Sequence, residues 1–328
     1  MLVMKIRLAA GVALGAATAL VASASAAPAF ASTADASASA TLASASASAA
    51  PASAAAPSSP EAAPPPLSGA AVYATAAGDR LSRYEDGRWH TLVRSRSMAQ
   101  YTVSPDGRKA AWVTQSGRLQ VSQGGRTTTI VSGLRGGTPC LTPVWSADSA
   151  RVAYPQGDDT IMAVRADGSA APRKLGRSPG VCHLAWSAGG RYVAGYTGEA
   201  DALYRLDVKT GKAARAKGVK WITHVQSLSP DGRTAVVGFP ADPDILGDGT
   251  WPTAFKPVVL DVVTGKRRTP AVKGRLLGAL HLADGRMVVR VAGAAHHTLV
   301  VLDRSGKEAQ RIAEPAQAKK QALLQVLP

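Results

Sequence analysis

The sequence predicts an all-β fold, a six-bladed β-propeller closed by pairing of the C-terminal strand with the N-terminal blade. Three observations lead to this prediction. A short turn motif recurs at a nearly constant spacing, and each repeat contains four short strand-like segments. The two ends of the chain each supply part of one repeat, and together they supply all four of its strands. A small sheet of this kind cannot bury both of its faces alone, so the repeats must pack against one another.

The repeated motif is clearest between residues 101 and 114, where Ser104-Pro105-Asp106-Gly107 separates two apolar segments. Asp-Gly between apolar segments is typical of a tight turn, because glycine adopts a positive φ without steric cost. Related turns follow at successive steps of 42, 41, 42 and 53 residues, beginning at Ser146, Ser187, Ser229 and Leu282. One unit is therefore longer than the others.

Each turn is followed by a small or β-branched segment, then by a third strand and a more polar fourth strand. The fourth strands are predicted to begin at Arg126, Lys212, Lys266 and Lys307. Residues 324–328 align with the first strand of a unit, yet the chain stops there, whereas residues 71–92 supply three strands without a first. The C-terminal strand is therefore expected to complete the first blade, which leaves no open sheet edge in the ring.

The N-terminal residues 1–31 have the pattern of a secretory signal peptide, with Lys5 and Arg7, an apolar stretch, and a small-residue cleavage site at Ala31. Because Gly and Ser interrupt the apolar stretch, we expect cleavage near Ala31 and a secreted protein; the alternative is an uncleaved anchor. Residues 32–68 are almost entirely Ala, Ser, Thr and Pro, and are predicted to be a disordered low-complexity tether. Residues 69–328 then form the propeller.

The extra residues of the long unit fall between Phe239 and Lys256, between its second and third strands. Such an insertion is expected to project from one face of the ring as a possible partner-binding loop. Its candidate residues are Asp242, Asp244, Asp248, Trp251 and Phe255. The aspartates could hold Ca²⁺, although they lack EF-hand spacing. Calcium binding, partner contact through the two aromatic residues and a plain solvated loop all stay open, and no metal or cofactor is assigned.

The two cysteines of the chain, Cys140 and Cys182, precede the first strands of adjacent units, a few residues before Trp145 and Trp186. Export would permit a disulfide, which would stabilise the fold by restricting the unfolded chain. Their offsets from the two tryptophans differ by one residue, and disulfide geometry is strict. A bridge and two buried thiols are therefore both open at this point.

The chain is basic, with 38 Lys and Arg against 22 Asp and Glu, or 36 against 22 once Lys5 and Arg7 leave with the signal peptide. Outside the cell, such a surface could meet anionic wall polymers, acidic polysaccharide or lipid head groups. The alternative is that the charge only keeps the protein soluble. Nucleic acid is not expected, because export argues against it and aromatic residues, at 5% of the chain, are too few for stacking platforms.

Two patterns could indicate an enzyme. His183, His224 and His281 lie in or beside first strands, which line a propeller's channel, but their offsets from the turns differ and place them at different heights. The segment 176–180 matches the Gly-x-Ser-x-Gly motif around Ser178, yet it lies in a loop before a strand, where the motif's strand-to-helix turn is not expected. No catalytic, cofactor-binding or metal-binding residue is assigned.

The repeated Ser-Pro-Asp-Gly-Arg turn with a small apolar strand after it resembles the TolB-like propeller repeat, a relative of WD repeats. The resemblance covers about residues 70–328; the turns at Ser104 and Ser229 fit it fully, and those at Ser146, Ser187 and Leu282 are degenerate. It implies a scaffold whose motif residues form turns and pack blades, and it supplies no catalytic residues. The Ala/Ser-rich export region and the absence of Asn are similar to secreted actinobacterial proteins.

Together these observations predict a secreted, non-catalytic propeller that binds an unidentified protein or an anionic wall polymer. It is expected to be a monomer, without an integral membrane span after signal cleavage. The alternatives are a propeller enzyme of the lactonase or quinoprotein type, with a site at the channel mouth, and an extracytoplasmic sensor. A cluster of carboxylates on the first strands would favour the enzyme.

Overall fold

A computed structural model describes residues 64–96, 98–135, 141–157, 159–240 and 251–328. The predicted signal peptide and most of the predicted tether lie outside these ranges. Cys140, Asp242, Asp244 and Asp248 also lie outside them. In the described ranges, no helix has the length and apolar character that a membrane span requires.

The described chain forms six antiparallel sheets of four strands each, which confirms the predicted six-bladed, all-β architecture. Blade 1 contains β1 (Ala71–Thr75), β2 (Arg80–Glu85), β3 (Arg88–Arg94) and the C-terminal β24 (Gln321–Val326). Blade 2 contains β4 (Met98–Val103), β5 (Lys109–Thr114), β6 (Leu119–Gln123) and β7 (Arg126–Val131). Blade 3 contains β8 (Val144–Trp145), β9 (Arg151–Gln156), β10 (Thr160–Arg165) and β11 (Arg173–Arg177).

The second half of the ring repeats this pattern. Blade 4 contains β12 (Val181–Trp186), β13 (Tyr192–Thr197), β14 (Leu203–Asp207) and β15 (Lys212–Arg215). Blade 5 contains β16 (His224–Leu228), β17 (Thr234–Gly238), β18 (Pro257–Asp261) and β19 (Arg267–Arg268). Blade 6 contains β20 (Leu276–His281), β21 (Met287–Val291), β22 (Thr298–Leu302) and β23 (Glu308–Ala313), and a 3-10 turn (Ala316–Lys320) leads into β24.

The hydrophobic core is divided among the blade interfaces. Each of six clusters of buried apolar residues joins two consecutive blades, including one between blade 6 and blade 1. Trp112 of β5, for example, packs with Val72 of β1. Every blade therefore depends on two neighbours to bury its faces, including across the junction of blades 6 and 1.

Closure takes place in blade 1, as predicted, where β24 pairs antiparallel with β1. The register aligns Ala71 with Val326 and Ala74 with Ala322, with a bulge between them. The Leu327 amide then donates to the Ala70 carbonyl at 2.8 Å. The C-terminal strand therefore removes the open sheet edge that blade 1 would otherwise expose.

The repeated turn is held by one serine hydroxyl. Ser104 Oγ donates a hydrogen bond to Asp106 Oδ1 at 2.5 Å and accepts one from the Lys109 amide at 2.9 Å. Ser229 and Asp231 repeat this arrangement. The hydrogen bond from Ser229 lowers the pKa of Asp231. The Ser-x-Asp spacing favours the turn because a short hydroxyl and a carboxylate two residues later can together satisfy the turn's backbone donors.

The degenerate turn of blade 4 has Gly189 where the full motif has Asp. The Gly189 amide donates to the Pro230 carbonyl of the next blade at 3.2 Å, and a Cβ at Gly189 would lie only 2.3 Å from that oxygen. Glycine is therefore required by the close approach of two blades.

We expect Gly189→Asp, which restores the motif, to destabilise the protein by about 2 kcal/mol or more, because the backbone of blade 5 would have to move. Chemical denaturation measures the loss. Ala147→Asp, which adds the same carboxylate at an exposed turn position, is the control and should change the unfolding free energy little. Equal effects of the two substitutions would contradict the interpretation.

The end of the predicted tether lies on blade 6. Leu67 is 4% exposed, its amide donates to Gln310 Oε1 at 2.9 Å, and Gln310 Nε2 donates back to its carbonyl at 2.9 Å. Arg286 Nη1 donates to the Pro65 carbonyl at 2.9 Å. Ordered contacts with the propeller therefore extend into residues that composition alone assigns to the tether.

Candidate functional site

A cavity of about 160 Å³ lies in the channel of the ring, where the inner strands of all six blades meet. Trp145, Trp186 and Trp251 contribute aromatic surface to its wall. Its polar side chains are amides, hydroxyls and one imidazole, namely Thr102, Gln226, Ser227, His281 and Gln325. A cavity lined in this way offers hydrogen bonds without a charged group.

Another part of the ring interior contains a hydrogen-bonded chain across three blades. Thr142 Oγ1 lies 2.5 Å from Gln100 Oε1 and 2.5 Å from His183 Nδ1. A hydroxyl has one proton, so Thr142 donates to Gln100 and accepts from a protonated Nδ1 of His183. The three residues share one position, four residues before the turn of each repeat. His183 also stacks on Tyr196, with ring centroids 4.6 Å apart.

The other two channel histidines have separate partners. His224 Nε2 lies 2.8 Å from Gln226 Oε1, and its ring meets the edges of Trp251 and Phe255. His281 Nε2 lies 3.1 Å from Thr234 Oγ1. Among the residues with described positions, no group of three His, Cys, Asp or Glu side chains is placed to hold a metal ion. The described contacts therefore give each histidine its own hydrogen-bonding role.

Burial lowers the pKa of His224 from 6.5 to about 4, because an imidazolium there would lose its hydration, while the bond to Gln226 opposes this shift. Burial likewise lowers the pKa of His281 to about 4. Between pH 6.5 and 4 the unfolded chain binds protons that the folded chain does not. The contribution of these two histidines to stability is therefore fully present above pH 6.5 and declines as the pH falls towards 4.

We expect His224→Gln to flatten this decline, because the amide keeps the bond to Gln226 without a titrating group. The contribution of His224 is on the order of 3 kcal/mol at most. Melting temperatures measured from pH 7.5 to 4 test this, with the exposed His296→Gln as control. An unchanged pH slope in His224→Gln would contradict the prediction.

The described end of the insertion lies across the channel. Trp251 of blade 5's insertion donates its indole N–H to the Tyr101 carbonyl of blade 2 at 2.7 Å. The Phe255 amide donates to the Leu277 carbonyl of blade 6 at 2.9 Å, and its ring packs on Gly278. Both aromatic side chains are half-buried and contact the ring itself. Their contact with a partner stays a prediction, and the three aspartates lie outside the described residues.

The sequence predicted Trp251 and Phe255 in a loop that projects from one face of the ring, because they belong to a long insertion. The signal in the sequence was their size, because large aromatic side chains bury much apolar surface and often pack against the rest of the protein. Cys182 is disulfide-bonded. Since Cys140 is the other cysteine of the sequence but lies outside the described residues, the Cys140–Cys182 pairing stays a prediction.

Ser178 lies between β11 and β12, in a connection between two strands as expected. It is 1% exposed, and its amide donates to the Asp159 carbonyl at 2.7 Å. The strand-to-helix turn that presents a nucleophilic serine is not formed here.

The outer strands of blades 3, 4 and 5 are strongly basic. Together β11, β15 and β19 carry seven Arg and Lys residues and no acidic residue. The outer strands of blades 1, 2 and 6 carry four Arg and one Glu. We name the β11, β15 and β19 strands the basic outer surface.

Two arginines that directly follow repeated turns pair with nearby carboxylates, and Arg177 of β11 pairs with Asp159 at 3.1 Å. Arg191 pairs with Asp207 at 2.7 Å, and Arg233 pairs with Asp261 at 3.0 Å in the same way. The pKa of Asp207 is lowered mainly by its hydrogen bond from Arg191. Arg191 and Arg233 are therefore partly neutralised, whereas β11, β15 and β19 carry no acidic residue of their own.

No protein-family model and no curated protein sequence matches the chain. Among solved structures, TolB from Acinetobacter baumannii is similar, with 16% identity, a TM-score of 0.49, and coverage of 78% of this chain and 66% of that chain. A protein of Agrobacterium tumefaciens assigned as TolB has 12% identity and a TM-score of 0.46, covering 79% and 98%. A chain of a nidogen/laminin complex has 9% identity and a TM-score of 0.49, covering 79% and 99%.

At these identities and TM-scores, the similar structures are not used as evidence for the fold or the function. The strand order is the direct evidence: six four-stranded antiparallel sheets, with an N-terminal blade completed by the last strand. The chain is therefore a six-bladed β-propeller.

Proposed function

We propose that the protein is an exported, non-catalytic scaffold that binds an anionic polymer of the cell envelope on the basic outer surface. The observation that carries this proposal is the set of seven basic residues without an acidic residue on three consecutive outer strands. These strands belong to a closed ring, so an anionic chain can lie along them without a rearrangement of the protein.

Basic residues on outer strands also protect exposed sheet edges from pairing with other chains. That role applies equally to all six outer strands, whereas seven of their eleven basic residues lie on three of them, and those three carry no acidic residue. The uneven distribution therefore favours a ligand over edge protection alone.

The non-catalytic part of the proposal is supported by the channel cavity. Its polar side chains are amides, hydroxyls and the His281 imidazole, which bonds to Thr234. General acid–base chemistry on a bound substrate would need a titrating group held towards that substrate. The described lining of the channel therefore supports a binding role better than acid–base catalysis.

The test uses the secreted full-length protein with two polyanions, polygalacturonate and inorganic polyphosphate. One variant replaces four residues of the basic outer surface by Gln, namely Arg173, Lys174, Lys212 and Arg268. A matched variant removes the same number of charges from the other blades, namely Arg88, Arg94, Arg126 and Lys307. We expect the first variant to bind at least one polymer about tenfold more weakly, and the second to change little.

Binding should also weaken as salt concentration rises, because the contacts are exposed and screened. Equal losses in the two variants would show that only net charge matters and would contradict the assignment of the surface. Absence of binding in the wild-type protein would overturn the proposed function.

A further inference from the structure

Blade 5 departs from the repeat at its outer edge as well as at its insertion. Its outer strand β19 has two residues, whereas the other outer strands have four to seven. Thr269 and Pro270 follow β19, and proline cannot donate to a strand ladder, which explains the early end. Beside this short strand lies a groove of about 530 Å³, formed by residues 218–221, Phe239, Pro240 and Arg267. We name it the Trp221 groove.

Trp221 presents an exposed aromatic surface in this groove. It is 42% exposed, and it is the one exposed large aromatic side chain among the described residues. The backbone next to it is fixed, because the Ile222 amide donates to the Ala200 carbonyl at 2.9 Å and Ile222 is fully buried. The backbone therefore holds the Trp221 indole in place beside the groove. The volume of the groove lies within the range of ligand-binding pockets, which is roughly 300–1,000 Å³.

Arg267 supplies a positioned positive charge in the same groove. Its guanidinium lies 4.0 Å from the centre of the Phe239 ring, and Nη2 donates to the Gly218 carbonyl. A guanidinium has five N–H donors, so donors remain for a ligand. The exposed Lys220 adds a second positive charge to the wall. No acidic residue lines the groove among its described residues.

An aromatic ring face beside two cationic side chains can recognise a ligand that combines a sugar ring with a negatively charged group. The C–H face of a pyranose can pack on the indole, while a carboxylate on that sugar meets the guanidinium and the ammonium. A polymer without rings, such as polyphosphate, would use only the cations. We propose that the Trp221 groove binds a carboxylated sugar unit of an acidic polysaccharide.

This inference rests on the proposed function and names the class of polymer that the scaffold would prefer. Arg267 belongs to β19, so the Trp221 groove is continuous with the basic outer surface. A polysaccharide chain lying along the outer strands would reach the groove at blade 5, where one sugar unit could stack. The groove would then select the sugar, and the strands would hold the rest of the chain.

The test compares Trp221→Ala and Trp221→Phe in the secreted full-length protein. Three probes are used: galacturonic acid oligomers, neutral galactose oligomers and polyphosphate. We expect Trp221→Ala to bind the galacturonic acid oligomers about tenfold more weakly and polyphosphate as the wild type does. Trp221→Phe, which keeps an aromatic face, should retain most of the affinity. Neutral oligomers should bind more weakly than acidic ones.

Two control variants separate the groove from the general surface. Val263→Ala removes the other exposed large apolar side chain among the described residues, and Arg268→Gln removes the arginine next to Arg267 without altering the groove lining. Arg267→Gln should weaken binding of the acidic oligomers more than Arg268→Gln does. Melting temperatures confirm that the variants are folded.

The outcomes distinguish this inference from the proposed function. If the wild-type protein binds neither the galacturonic acid oligomers nor polyphosphate, both the groove assignment and the proposed function are wrong. If it binds them but Trp221→Ala behaves like Val263→Ala with every probe, the groove assignment alone is overturned. Loss of polyphosphate binding in Trp221→Ala would also overturn it, because that polymer offers no ring to stack.

Discussion

A chain that ends at Lys320 is expected not to form a stable fold. The truncation removes β24, in which Ala322, Leu323, Leu324 and Val326 are at most 9% exposed, and also the buried Leu327. Burial of each Leu or Val contributes about 1.5–3 kcal/mol, so the loss is comparable to the total stability of about 5–15 kcal/mol of a typical domain. Near-ultraviolet circular dichroism and thermal unfolding should show no cooperative transition.

A chain that ends at Leu327, and so lacks only the exposed Pro328, is the control and should unfold as the full chain does. A synthetic peptide of residues 321–328 should restore some structure to the truncated chain, because it can pair with β1. If the truncated chain melted within a few degrees of the full one, the C-terminal strand would not be what closes the ring.

Arg290→Met is expected to lower the unfolding free energy by about 3–5 kcal/mol, because it leaves the buried carboxylate of Glu314 unpaired. Arg290 is 1% exposed and donates to Glu314 Oε2 at 2.8 Å. It also donates to the carbonyls of Thr253, Ala318 and Gln321, at 3.1, 2.8 and 2.8 Å. One side chain of blade 6 therefore holds the insertion, the 3-10 turn and the start of the closing strand.

Burial raises the pKa of Glu314 above its ordinary value, and the charge of Arg290 opposes this shift. Chemical denaturation of Arg290→Met at neutral pH gives the loss directly. The matched control is Arg311→Met, which breaks the exposed pair between Arg311 and Glu308 at 2.7 Å and should leave stability unchanged. A similar loss in both variants would argue against a special role for the buried pair.

Much of the fold could be predicted because its signals are local and repeated. The Ser-x-Asp-Gly turn, the alternation of short apolar segments and their period are properties of neighbouring residues, so the sequence alone determined the blade number and the closure. The degenerate turn at Ser187 did not weaken this prediction, since the period was maintained around it. Its Gly189 could be explained only once Pro230 of the next blade was seen to lie against it.

The candidate sites were predicted less well, because they depend on contacts between residues far apart in the chain. Trp251 bonds to the backbone of Tyr101, 150 residues away, and the sequence offered no signal for that pairing. Arg290 occupies an ordinary strand position, where neither its burial nor its four acceptors could be foreseen. The Trp221 groove combines a connection between blades, the end of β17 and the outer strand of blade 5.

The sequence by itself therefore determined the repeats, the turns, the number of blades and the basic character of this protein. Only the tertiary structure decided which basic residues stay on acid-free strands, where the insertion's aromatic residues lie, and which side chains share a groove. The physical reason is that a turn depends on a few adjacent dihedral angles and hydrogen bonds. A site, in contrast, depends on how separate blades pack, and that packing brings together residues whose types and spacing show no mutual pattern.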